Sequence, residues 1–237
     1  MQEHHPDQFL NYFSMAGGTL NAALVVDGKE YTIRDVLDRS LLETKLTNEL
    51  AYSVLTYSHY LEPGKRWKNK FGEEMSLAIL LDKLLRTPEK TCLGTHRLGA
   101  LARVYARKEL KQDKEVAKLW DELERQILEA LVRLKQSQRL DGAFEVPGQT
   151  PATQNDDFVD VYYTGHSLEW VVLLGNDYCR DDWVVRGFQR LSEAVEAVYR
   201  QTYRNLDATG NVQSHFDFDG LSHAVSAAIC WKNGAAL

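Results

Sequence analysis

The sequence predicts an all-α protein, an α/α-toroid or short α-solenoid of about four helical hairpins, and three observations carry that prediction. Apolar residues recur at helical spacing through most of the chain. A more polar helix precedes a more apolar one four times: 32–43 then 47–60, 74–86 then 95–110, 114–138 then 162–174, and 182–203 then 221–232. Paired elements of this kind bury their apolar faces only by stacking on neighbours. The third observation is a recurring phrase. Thr164-Gly165-His166, Gly94-Thr95-His96 and Gly220-Leu221-Ser222-His223 each set a small or hydroxyl residue and then a histidine at the expected start of an apolar helix.

Size and charge bound the class. The 237 residues, 44% hydrophobic and 26% charged, are enough to bury a full core. A single helical domain is expected over 1–237, with 1–31 as an N-terminal helix and hairpin cap and 32–237 as the repeats. A net charge of −6 lacks the basic footprint of a nucleic-acid binder. No apolar run approaches the ~20 residues of a membrane span. The start, Met-Gln-Glu-His-His-Pro, lacks the regions of a secretory signal, so a soluble cytoplasmic protein is expected unless a leader has been removed. Three cysteines with no Cys-x-x-Cys fit free thiols.

In chain order, His5-Pro6-Asp7 starts a short helix with Phe9, Leu10 and Phe13 on one face, and Gly17-Gly18 ends it. His4 and His5 read as a solvated pair rather than a metal site. Ala23–Val26 and Glu30–Ile33 flank Asp27-Gly28, a strong turn signal, and make a small β-hairpin near 23–33. Thr32 with Asp35 is a variant capping box for the next helix. Thr47-Asn48-Glu49 opens the helix that Pro63-Gly64 closes. Residues 66–72 read as a polar loop in which Trp67 either faces a ligand or anchors the loop. Residues 114–138 read as one charged amphipathic helix with a solvated outer face. A long Pro/Gly/Gln/Asp-rich loop then runs to about Asp160, before the central helix at about Thr164–Leu174.

In a toroid the inner helices run parallel and their N-termini gather at one mouth. Glu49, His96, His166 and His223 then face that mouth as a shared polar site. The partial positive charge of a helix N-terminus keeps imidazole neutral, the form that takes a proton or binds a metal. That same charge repels a cation, so a site without metal or other cofactor is favoured. Should a divalent metal such as zinc bind, His96, His166, His223 and Glu49 are its expected ligands. Cys92 with His96 as its base is the weaker alternative to a buried thiol.

Two segments resemble known toroid families. Gly165-His166-Ser167-Leu168-Glu169-Trp170 is similar to the Gly-His-x-x-Glu-Trp segment of the N-acylglucosamine and cellobiose 2-epimerases. That resemblance implies acid/base work by His166 with Glu169 beside it. Gln138-x-x-Asp141-Gly142-Ala143-Phe144 resembles the turn-stabilising Gln-x-x-Asp-Gly-Ser-Trp element of terpenoid cyclases and prenyltransferase β-subunits. With His5-Pro6-Asp7-Gln8-Phe9-Leu10 and Gly94-Thr95-His96-Arg97-Leu98, most of the chain resembles a family of bacterial squalene-cyclase-like proteins that carries no established activity. The chain is short of six hairpins, so an open or incomplete ring is implied. The cyclase Asp-x-Asp-Asp motif is absent.

Two functions follow. The first is a non-catalytic binding or scaffold module that holds a peptide or partner protein, favoured by the short length and the missing acid motif. The alternative is a carbohydrate-active enzyme of epimerase or isomerase type. There His166 and His96 do the acid/base work, Glu169 and Glu49 orient them, and His223, Trp170, Tyr163, Trp67 and Asp141 bind the ligand.

Overall fold

A computed structural model of the chain describes residues 5–87, 94–145, 156–204 and 218–232. They group into two compact units, one up to Ile127 and one from Leu128. Both units are mainly helical, as the periodicity predicts. No helix among the described residues is long and apolar enough to cross a membrane.

The first unit begins with α1 (Gln8–Met15), the hairpin β1 (Ala23–Val26) and β2 (Lys29–Thr32), α2 (Ile33–Glu43) and α3 (Ala51–Tyr60). Asp27 and Gly28 both have positive φ, 50° and 74°, the backbone that a two-residue hairpin turn requires. Thr32 and Asp35 form the expected reciprocal capping box. Residues 66–72 depart from the expected loop. β3 (Arg66–Lys68) pairs with β4 (Glu74–Ser76) as a second hairpin, and Asn69 closes its turn by accepting from the amides of Phe71 and Glu73. Local side-chain bonding of this kind carries no period that a sequence displays. α4 (Leu77–Arg86) and α5 (Thr95–Ala106) follow, then a 3-10 turn and α6 (Lys114–Lys118). The helix expected over 114–138 is interrupted at Leu119 and resumes as α7 (Trp120–Gln136).

α3 and α5 run parallel. Tyr52 meets His96 near their beginnings, and Arg107, just past α5, donates to the carbonyls of Ser58 and His59 at the end of α3. Ala51, Val54, Leu55, Leu101 and Val104 fill the core around them.

The second unit holds α8 (Asp157–Val172), the short α9 (Asn176–Cys179), α10 (Asp182–Arg204) and α11 (Phe218–Lys232). α8 and α11 are also parallel and very close. A Cβ on Gly165 would sit 3.0 Å from the Ala224 nitrogen, and one on Gly220 would sit 3.1 Å from the Tyr162 Cα, so a side chain at either would press the paired backbones apart. α10 runs antiparallel to α8. Gly187 lies against Leu168, whereas Arg190 reaches back to Asp157 and Asp160. The tight turn after α7 is braced by Gln138, which donates to the carbonyls of Gly142 and Trp183.

Candidate histidine–carboxylate sites

Each unit builds one cluster of histidine and glutamate on its parallel helix pair. In the first unit, Glu49 lies just before α3 rather than in its first turn, because the helix begins at Ala51. His96 is the second residue of α5, as the sequence predicts, and is 4% exposed. Glu49 places Oε2 2.7 Å from His5 Nδ1 and Oε1 3.5 Å from His96 Nδ1. The two imidazoles meet edge to face at 4.8 Å, and the Tyr52 ring lies 5.4 Å from His5 and 4.9 Å from His96.

His5 corrects the reading of the N-terminus. It is half-buried and engaged with Glu49, not one of a solvated pair. Its neighbour Asp7 holds it there. Asp7 has φ of 65°, and its carboxylate accepts from the hydroxyls of Ser40 at 2.5 Å and of Ser53. Burial and the Asp7 charge push the Tyr57 hydroxyl well above its usual value, so it stays protonated within this network. The available signal was Pro6, which restricts the backbone of His5 and fixes the step to Asp7.

In the second unit, α8 starts at Asp157 and not at Thr164. Asp156 caps it by accepting from the Phe158 amide, and Asp157 and Asp160 supply acid to the first turn. His166 therefore sits mid-helix, and the helix-terminus argument does not apply to it. His223 is likewise past the first turn of α11, because that helix begins at Phe218. His166 and His223 stack at 3.6 Å with their planes 33° apart. Their exposures are 2% and 1%. His166 Nδ1 lies 2.8 Å from the Tyr162 carbonyl, which can only accept, so Nδ1 carries the proton. His223 Nδ1 lies 2.5 Å from Glu169 Oε2. Burial alone would raise the Glu169 carboxyl, but His223, the Ser226 hydroxyl and His166 outweigh it and hold it below the usual carboxylate range.

The remaining candidates sit elsewhere in their units. Trp67 is the anchor of its hairpin. Its Nε1 donates to the Leu41 carbonyl at 3.0 Å and its ring meets Tyr57 edge-on. Trp170 is 2% exposed and belongs to the core, and Tyr163 packs edge-on against Tyr162. Asp141 pairs with Arg139, which also holds the buried Asp160 together with Arg190. Its contacts are those of a turn brace. Cys92 lies outside the described residues.

No family model matches the chain, and no curated protein or solved structure is similar enough to count as a match.

Proposed function

We propose that the His166–His223–Glu169 cluster performs acid/base chemistry on a small polyhydroxylated ligand such as a carbohydrate. The observation that carries this reading is the orientation of the two rings. His166 directs Nδ1 at the Tyr162 carbonyl and His223 directs Nδ1 at Glu169, which puts the lone pair of each neutral ring on Nε2. A carboxylate behind an imidazole orients it and stabilises the imidazolium formed when Nε2 takes a proton. The reaction class is removal of a proton beside a sugar carbonyl and its return, an epimerisation or isomerisation that needs no cofactor. The parallel α3/α5 and α8/α11 pairs support an α/α-toroid or solenoid arrangement, in keeping with the squalene-cyclase-like resemblance.

The binding-module reading has one feature in its favour. An apolar groove of about 410 Å³ is lined by Phe158, Val161, Val195, Val198, Tyr199 and Leu221. It contains neither histidine, which places it second. The experiment is incubation of the full chain with reducing hexoses and N-acylhexosamines in deuterated water. Expected is deuterium at the carbon next to the carbonyl, lost in His166→Ala and reduced in Glu169→Gln. Absence of both exchange and sugar binding overturns the enzyme and leaves the module.

A further inference from the structure

We infer that the first unit carries a separate divalent-metal site formed by His5, Glu49 and His96. Three chain segments far apart in sequence bring one ligand atom each to within 4.8 Å of one another. Two neutral imidazoles and one carboxylate are a known ligand set for zinc and similar borderline metals, with one position left for water or substrate. The carboxylate also leaves the bound dication with a net charge of about +1, which a half-buried site tolerates better than +2.

The distances suit an ion with small adjustment. Ligand bonds of about 2.0–2.1 Å in a tetrahedron place neighbouring ligand atoms about 3.3 Å apart. The His96–Glu49 separation of 3.5 Å is already near that value. The His5–Glu49 contact of 2.7 Å is a hydrogen bond, and the two atoms part by roughly 0.6 Å as the ion replaces the shared proton. Tyr52 packs against both imidazoles and limits their rotation.

A second observation, independent of the ligand geometry, points the same way. His5 would be a poor ligand on a free N-terminal arm, yet its position is fixed from the far side of Pro6. Asp7 sets its half-buried carboxylate between the hydroxyls of Ser40 and Ser53 with a left-handed backbone. A built anchor one residue beyond Pro6 pre-positions the imidazole against Glu49.

The test is titration of the chelator-treated full chain with Zn²⁺ by calorimetry and with Co²⁺ by visible absorption. Expected is one equivalent bound with the intense bands of tetrahedral cobalt. His5→Ala and Glu49→Gln should each lower the affinity by roughly 10–100-fold or more, at least the loss seen for second-shell partners. His59→Gln, on the same unit, should leave affinity unchanged. His5 precedes α1 and lies outside every helix and strand, so His5→Ala should keep the helical content, which circular dichroism checks. Affinity should fall as the pH drops, because the imidazoles must be unprotonated to bind. Failure of the native chain to bind either ion, or undiminished binding by His5→Ala and Glu49→Gln, overturns the site.

Discussion

The two units use the same ingredients in a different order. In the first, the carboxylate of Glu49 lies between His5 and His96, with side-chain exposures of 17% for His5 and 21% for Glu49. In the second, Glu169 stands at one end, His223 is next to it and His166 stacks beyond, with both imidazoles nearly inaccessible. A carboxylate between two imidazoles can turn one oxygen to each, and all three can turn to a common ion. A carboxylate behind one imidazole orients and charges that ring, which is the arrangement for proton transfer. In the two proposals, the order of the groups, more than their residue type, separates a ligand set from an acid/base pair.

The supports under the two clusters differ as well, and substitution should expose that. Asp160, 1% exposed, holds both Arg139 and Arg190 in the first turn of α8, the helix that carries His166. Asp160→Ala removes the buried carboxylate that Arg139 and Arg190 share and leaves them Asp141 and Asp157, so we expect a loss of about 3 kcal/mol in urea unfolding, the low end for breaking a buried pair. Leu168, fully buried beside Gly187, comes next. Leu168→Ala should cost ~2–5 kcal/mol, and a change within ~0.5 kcal/mol would put α8 the wrong way round. The first cluster rests on Asp7, whose partners are neutral hydroxyls. Asp7→Ala should cost ~1.5–3 kcal/mol, the range for hydrogen bonds to a charged group. A cost equal to that of Asp160→Ala would erase the distinction between the supports.

The helices were legible because burial imposes a period on the sequence. Thr32 with Asp35, and Asp27-Gly28, were legible because their chemistry is local. The start of α8 was not. Val159, Val161, Tyr162 and Tyr163 have modest helix propensity and follow a loop-like stretch, and tertiary pairing of Asp157 and Asp160 with Arg190 overrides that preference. The histidine phrase grouped His96, His166 and His223 by a shared place at a helix start, and only His96 holds that place. His166 is set by its helix face and by the close approach at Gly165. His5 escaped because two adjacent histidines near a terminus look solvated, and the pairing of Asp7 with Ser40 and Ser53, more than 30 residues away, leaves no local pattern.

Acid should produce the smallest effect, and it acts on the first unit through a residue outside either cluster. His59 ends α3, half-buried, and is held to about 4 by burial and by the nearby charges of Arg103 and Arg107. Its ordinary value is 6.5. Between these two values the unfolded chain takes up a proton that the folded chain refuses. The stability this residue contributes is therefore complete above pH 6.5 and is lost as the pH falls towards 4. Because the side chain keeps some contact with solvent, the full shift overstates the energy, and a loss of ~1–2 kcal/mol is the reasonable scale after screening. The measurement is a comparison of wild type with His59→Gln from pH 7 to pH 4 by urea unfolding. The variant lacks the titrating group, so its stability should fall less steeply, and hydrogen exchange should place the difference in α3. Parallel curves would mean that His59 is protonated as readily in the folded protein as in the unfolded chain, and that Arg107 caps α3 without excluding charge from its end.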